Sequence, residues 1–556
     1  MTAPDTEELV FLPLGGAGEI GMNLNLYGWG PPTDRRWLMV DCGLGFNGSV
    51  VPGVDIVLPD PAYIAGQRGR LMGLVLTHAH EDHLGALPYL WPKLRCPVYA
   101  TRFTRAMMRH KLRDGGGGMA ELQPMAIPDS GELQVGPFAL QLIGMTHSIP
   151  DAQAIVIRTP AATVLHTGDW KLDPEPVVGP TSDEVALRSL GDAGVDALVC
   201  DSTNVFVPGR TGSEASVQPD LCRLIAACRR RVVVTCFASN IARIATIATA
   251  AQAVGRVVLI AGGSLRRTCA AAQECGYLSG VPPLLEDGLF RTLPAEKCLV
   301  ICTGGQGEPR AALNRIVQGD HPHIDLDAGD AVVFSSRVIP GNELAIGRLY
   351  NALLRRGITV LNHRDGDIHV SGHPARGDLE QMYALVRPRV AVPVHGELRH
   401  MLEHAELART AGVPERIVAE NGTIVRLAPR PACVVETVTA GRLAVEGNRA
   451  VAIDGELVRN RVKAIYNGAV TVTVVLQKSR PAVREVLLSF IGVVDQGEDA
   501  VVQTMREAVR QAVEELPAVR HEDETAVAEA ARIAVRRAAR QTIDKRPLAQ
   551  VHVVRV

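Results

Sequence analysis

The stretch Thr77–Leu90, THAHEDHLGALPYL, sets His78, His80, Asp82 and His83 in the spacing HxHxDH directly after the apolar run LMGLVL. That run, followed by leucines at positions 84, 87 and 90, predicts a strand that hands over to a helix. His78 and His80, two apart, point the same way in an extended turn; Asp82 and His83 follow as the chain coils and face a neighbouring point. Imidazoles and a carboxylate so arranged can hold two adjacent metal ions. A histidine-rich surface turn is the plain alternative.

Further ligand candidates come after later apolar runs: His147 in GMTHSIPD, Asp169 in LHTGDWKLD and His395 in VPVHGE. A single histidine in such a place is ordinarily a satisfied core or loop residue. Their order behind HxHxDH is what singles these three out. The pattern resembles the metallo-β-lactamase superfamily. That resemblance implies a first zinc on His78, His80 and His147, a second on Asp82, His83 and His395, Asp169 bridging them, and Asp41 of LMVDCG supporting the ligands from behind.

One motif points elsewhere. GGAGEIG places Gly16, Gly18 and Gly21 as GxGxxG after an apolar run, with Asp41 twenty residues on, as in a dinucleotide fingerprint. The segment that follows, MNLNLYGWGPP, alternates as a strand and meets Pro31 and Pro32, so the helix that motif requires is absent. The glycines read as a tight turn between strands near the metal site.

The chain has 556 residues, enough for three or four domains, with 58 Lys and Arg against 60 Asp and Glu, a net charge of −2. No global field attracts a polyanion, so basic residues that meet one are expected to gather along one groove, with the acidic ones on remote faces. Arg102, Arg105, Arg109 and Arg113 at helical spacing, and Arg229, Arg230, Arg231, Arg266 and Arg267, are the candidates. An ordinary solvated face is their commoner fate. Aromatics are only 4% of the chain, which favours backbone contacts over base stacking. Eleven scattered cysteines without a CxxC pair suit buried thiols in a reducing compartment. There is no run of eighteen apolar residues and no cleavable leader pattern, so a cytoplasmic protein without a membrane segment is expected.

Short strands over the first two hundred residues give way near 206 to repeated units of strand, Gly or Ser loop, then helix, which predict a mainly parallel α/β sheet. The 226 positions from Asp169 to His395 (395 − 169) leave room for an inserted domain. Its contents resemble the β-CASP insertion of nucleic-acid-processing members, with Asp201 of LVCDSTNV, His373 of HVSGHP and His395 fitting that insertion's three motifs. Together PLGGAGEIGMN, HTGDWKLDPEPV, CDSTNV, RTGSEASV, FASNI, TGGQGEP, IPGNE, HVSGH and VPVHGE resemble the bacterial ribonuclease J family over about residues 10–400. Ala242, Gly305 and the glycine-rich LRDGGGGMAEL depart from that pattern.

The resemblance implies an α/β fold class: an αββα sandwich, an inserted β-CASP α/β domain and a small C-terminal α+β domain. The expected division is 1–205 (sandwich, first part), 206–370 (insertion), 371–445 (sandwich, second part), 446–462 (linker) and 463–556 (C-terminal, for oligomerisation). Asp82, His373 and Asp201 are the expected catalytic residues, with His373 as proton donor held by Asp201. His369, Val370, Ser371, Gly372 and His373, with Ser239 and Asn240, are the expected phosphate binders; plain helix capping is the alternative for the last two. The implied activity is a two-zinc 5′-to-3′ exoribonuclease favouring 5′-monophosphorylated RNA, with endonuclease activity beside it and manganese or magnesium admissible, acting in RNA decay and maturation. RNA, a homodimer or homotetramer and partners in an RNA-degradation complex are the implied associations. A weakly active RNA-binding scaffold subunit, and a hydrolase of a small ester or lactam on the same metals, are the competing readings.

Overall fold

The computed structural model describes residues 7–46, 51–114, 122–127, 132–339, 341–478 and 482–556, with no side chains for 112–114. Gly115–Gly118 of the glycine-rich loop and the side chain of Arg113 lie outside the described residues. The chain divides into two units, 1–46 with 57–442 and 47–56 with 443–556.

Two sheets face each other in the first unit. One runs in the order Cys433–Thr437, Thr423–Ala428, Glu8–Gly15, Leu24–Gly30, Arg36–Val40, Leu71–Val75, Val98–Ala100, Met125–Ala126. The other runs Leu133–Val135, Phe138–Met145, Ala152–Arg158, Thr163–His166, Ala197–Asp201, Val390–Val394, Glu415–Arg416. Between them lies one apolar core in which Leu9, Phe11, Leu38 and Val75 of the first sheet meet Phe138, Ile155, Val164 and Val392 of the second. The strand Ala152–Arg158 shows why the apolar runs are continuous. Ile155 and Ile157 enter the sandwich, while Ala154 and Val156 face outward under the helices Glu184–Ala193 and Arg376–Val386, so both faces need apolar residues.

The strands Ala197–Asp201 and Val390–Val394 are parallel neighbours, and the chain between them forms a third sheet. Its strands are β1 Val232–Thr235, β2 Val257–Ala261, β3 Leu284–Glu286, β4 Cys298–Cys302, β5 Ala331–Phe334 and β6 Thr359–Leu361, in the order β3-β2-β4-β1-β5-β6. All pair in parallel. The crossover helices are α1 Ile241–Ala253, α2 Gly263–Glu274, α3 Ala312–Gln318 and α4 Glu343–Arg355. This is the fold class expected.

In the second unit, strand Ala469–Leu476 lies between Val483–Ile491, antiparallel to it, and Leu548–Arg555, parallel to it. Val470, Val472 and Val474 alternate onto helices Asp499–Glu514 and Glu524–Ile543 through Met505, Val509, Val527 and Val535. The stretch 446–462, read as a linker, holds the strand Arg449–Ala452 and the start of helix Glu456–Asn467, whose Val458 is buried. Glu446 pairs with Arg449 across Gly447 and Asn448, a two-residue hairpin turn with Gly447 at φ +60°. Its strands, RLAVE and RAVA, are only five and four residues long, too short for a periodic pattern to stand out, although Gly-Asn between them is a hairpin signal. Among the described residues no helix is long and apolar enough to cross a membrane.

Candidate active site

Two residues beyond the strand Leu71–Val75 lies a buried threonine, Thr77, and after an extended link the chain makes one helical turn, Glu81–Leu84. Asp41 fixes this corner. Its carboxylate accepts the Thr77 amide at 2.8 Å and hydroxyl at 2.9 Å, and the His83 Nδ1 proton at 2.7 Å. His83 is thereby left with Nε2 facing Asp169 Oδ2 at 3.1 Å. Asp41 itself has φ +65°, a left-handed conformation that aspartate tolerates better than most residues.

His78 Nε2 and His80 Nδ1 lie 3.1 Å apart, as expected of residues two apart in an extended turn. His147, just beyond strand Phe138–Met145, brings Nε2 to 3.0 Å from His80 Nδ1, and its own Nδ1 donates to the carbonyl of Gly372 at 2.6 Å. His395, at φ +52° beyond Val390–Val394, pairs through Nδ1 with the Thr203 hydroxyl at 2.8 Å and through Nε2 with Asp82 Oδ2 at 3.2 Å. Two four-residue groups result, His78 with His80, His147 and Asp169, and Asp82 with His83, Asp169 and His395. The ligand atoms in each lie within 4.8 Å of one another.

The donor set fits divalent cations. Asp169 belongs to both groups, and its buried Oδ1 has no hydrogen-bond partner among the described residues, a costly arrangement for a carboxylate unless positive charge faces it. Burial together with neighbouring histidines pushes His78 and His147 well below the usual imidazole range and His80 down to about 4, which keeps them in the neutral, ligating form. Burial also acts against protonation of His83 and His395, but the carboxylates around them outweigh it and raise both.

A third group, Asp169, Asp201, His373 and His395, adjoins these two. His373 stacks on His395 at 5.4 Å and holds Asp201 Oδ2 through Nδ1 at 2.8 Å, with its side chain 22% exposed. Burial lowers its proton affinity, and the Asp201 carboxylate more than restores it. With Nδ1 so engaged, Nε2 is the nitrogen free to exchange a proton.

Among the expected phosphate binders, Ser371 Oγ accepts from Asn204 Nδ2 at 2.8 Å and from the His373 amide at 3.2 Å. The half-buried His369 has a buried Nδ1 with no hydrogen-bond partner among the described residues and is pushed down to about 3 by burial and by Arg243, Arg337 and Lys171. Val370 is half-buried, and its side chain would meet a Cβ placed on Gly212. Ser239 turns to His80 Nε2 at 2.9 Å, whereas Asn240 Oδ1 caps α1 through the Arg243 amide at 2.9 Å. Asn240 therefore takes the capping alternative.

Among the described residues, four of the nine candidate arginines are paired with carboxylates. Arg109 pairs with the Glu274 carboxylate while Arg102 donates to the Glu274 main-chain carbonyl at 3.0 Å, Arg230 and Arg231 bind Asp327 at 3.2 and 3.0 Å, and Arg266 lies 3.3 Å from Asp287. Basic residues here stand beside acidic ones that are distant in sequence, which no charge count along the chain reveals.

Sequence reading passed over several positioning residues. Asn23 donates to the Asp82 carbonyl at 3.1 Å and lies 3.1 Å from His83 Nε2, and Thr203 orients His395. Arg243, fully buried, pairs with Glu214 at 2.6 Å and donates to the carbonyl of Ile368, beside His369. Each falls within or beside a quoted motif, but a lone Asn, Thr or Arg carries no signature of its own.

Four family models match the chain. They are the metallo-β-lactamase superfamily over residues 29–199, the ribonuclease J β-CASP domain over 229–353, the Zn-dependent metallo-hydrolase RNA specificity domain over 366–419 and the ribonuclease J C-terminal domain over 456–556. Ribonuclease J of Sinorhizobium meliloti is 47% identical over 470 residues, 84% of this chain and 83% of that protein. Ribonuclease J of Mycolicibacterium smegmatis is 41% identical over 478 residues, 84% of each. Among solved structures, a protein of unknown function from Enterococcus faecalis V583 matches with a TM-score of 0.53 at 18% identity, covering 76% of this chain and 100% of that one, a likeness of fold.

Proposed function

Because the chain belongs to the ribonuclease J family, we propose that it is a zinc-dependent ribonuclease that degrades RNA 5′ to 3′, favours a 5′-monophosphate, and cleaves internally at the same centre. The observation that carries this reading is the His373–Asp201 pair set against the two ligand groups, at 2.8 Å from each other and with His373 Nδ1 3.8 Å from Asp169.

Divalent ions bound by His78, His80, His147 and Asp169, and by Asp82, His83, His395 and Asp169, would lower the pKa of a water nucleophile and offset the charge of the scissile phosphate. His373 Nε2 gives its proton to the departing 3′ oxygen while Asp201 holds Nδ1 and stabilises the protonated ring. The downstream product keeps its 5′-phosphate. Ser371, the Gly372 amide, His369, Val370 and Ser239 surround the position of the neighbouring phosphate. With water as nucleophile, no ribose hydroxyl is needed for attack, and preference for RNA rests on contacts to the 2′-hydroxyl.

The division 1–205, 206–370, 371–445, 446–462 and 463–556, a cytoplasmic location, a role in RNA decay and maturation, and partners in an RNA-degradation complex belong to the same proposal. So does a homodimer or homotetramer through the C-terminal domain, supported by the exposed Leu487, Ile491 and Val554 on that domain's sheet. The test is release of mononucleotides from end-labelled RNA bearing a 5′-monophosphate or 5′-triphosphate, with zinc or manganese, beside an Asp82→Ala, His83→Ala variant. Faster release from the monophosphate that the variant abolishes is expected; no release by the unmutated protein refutes the exonuclease.

A further inference from the structure

The inserted sheet has a place where its crossovers diverge. The neighbours β2 and β4 send the chain opposite ways, from β2 outward to β3 through α2 and from β4 past β1 to β5 through α3. Right-handed crossovers put those helices on opposite faces and leave the carboxyl ends of β2 and β4 uncovered between them, the point at which open parallel sheets take ligands. A cavity of about 430 Å³ lies there.

Its walls have the parts of a mononucleotide site. From β2 the chain passes through Gly262 and Gly263 into α2 and on to β3, which ends at Glu286, 23 residues beyond Gly263 (286 − 263), with Asp287 next; all four line the cavity. Gly262 has φ +119°, a Cβ on it would stand 3.1 Å from Thr303 Oγ1, and among the described residues no side chain caps the helix. Arg266 of α2, Arg310 of the β4–α3 turn and Arg315 of α3 bring three cations to the same space. Asp287 is buried, with Arg266 at 3.3 Å and His321 at 3.8 Å. In such a βαβ unit the helix start and basic side chains take a phosphate, and the acidic residue at the end of the next strand takes ribose hydroxyls.

We propose that this cavity binds a nucleoside 5′-phosphate. The phosphate lies toward the start of α2 and Arg266, Arg310 and Arg315, and the ribose toward Glu286 and Asp287. None of these residues belongs to the metal-ligand groups or to the His373 site. The volume suits one nucleotide, and GGSLRR, Gly262–Arg267, has Ser264 and Arg267 where a GxGxxG dinucleotide fingerprint has its second and third glycines.

Titration calorimetry of the full chain with AMP, adenosine and inorganic phosphate tests this. AMP is expected to bind more tightly than either fragment. Arg310→Glu with Arg315→Glu weakens it at least tenfold, and Glu286→Ala weakens AMP while leaving inorganic phosphate unchanged. RNA hydrolysis by all three proteins stays equal. Should the charge reversals lower the melting temperature, Arg310→Gln with Arg315→Gln must still weaken AMP. Absence of AMP binding, or AMP affinity unchanged in these variants, overturns the proposal, and so does Glu286→Ala without effect on AMP, which would leave a bare anion site.

Discussion

His147 and Gly372 are joined by a 2.6 Å hydrogen bond from the imidazole Nδ1 to the glycine carbonyl, and nothing larger than glycine fits there: a Cβ on Gly372 would lie 2.8 Å from His147 Cε1 and 2.9 Å from Ser148 Cβ. One ligand of the metal group is thus oriented by the segment that also carries His373, and the two groups of residues are placed by a common contact.

Gly372→Ala is therefore expected to tilt His147 out of line and reduce zinc content or RNA hydrolysis about 10- to 100-fold, the usual effect of disturbing a residue behind a metal ligand. Metal analysis and initial rates check this. Zinc content and rate both within twofold of the unmutated protein would show that the ring is held some other way.

Asp201→Asn keeps the shape of the His373 contact and removes its charge. The expected result is a fall of about 10²-fold or more in the rate constant with metal content unchanged, because His373 without the neighbouring carboxylate charge protonates less readily. An unchanged single-turnover rate would take His373 out of the proton-transfer step.

His404 is buried between the Ser202 hydroxyl at 2.8 Å and the Tyr383 hydroxyl at 2.9 Å, and burial lowers it to about 4. Its folded pKa is below the unfolded value, so the unfolded chain binds the extra proton and stability falls as pH drops from about 6.5 toward 4. At pH 5 this one group costs about 2 kcal/mol relative to pH 7. His404→Gln should flatten the pH dependence of urea unfolding by about that amount; an identical slope in both proteins refutes the assignment.

Leu487 and Ile491 are exposed on strand Val483–Ile491, at 49% and 77%. If that face joins copies of the chain, Leu487→Glu with Ile491→Glu should lower the mass seen by light scattering to that of a smaller species without lowering the melting temperature of the second unit. An unchanged oligomer mass would place the contact elsewhere.

The residues that gather at the site were legible to the extent that chemistry forced a spacing. His78, His80, Asp82 and His83 are tied by one strand-to-helix corner, so their pattern is local; His147, Asp169 and His395 each stand just past an apolar run and could be ordered behind it. Asn23, Thr203 and Glu214 act across 60, 192 and 29 residues, through contacts that only the folded chain creates. The arginines illustrate the opposite failure. Their helical spacing suggested a shared surface, but Arg102 and Arg109 are anchored to Glu274, more than 160 residues away. In the second unit, the alternation of AVTVTVVL marks its strand plainly, while the strands around Gly447 and Asn448 are five and four residues long and leave little pattern to read.

The neighbours Ala197–Asp201 and Val390–Val394 each end in a residue of the centre, Asp201 within the first and His395 directly after the second. A ribosome making this chain delivers His78, His80, His83 and Asp169 early, but His373 and His395 only after the whole inserted sheet has emerged. The growing polypeptide therefore passes most of its synthesis with this group of residues incomplete, and the group closes only when Val390–Val394 pairs beside Ala197–Asp201.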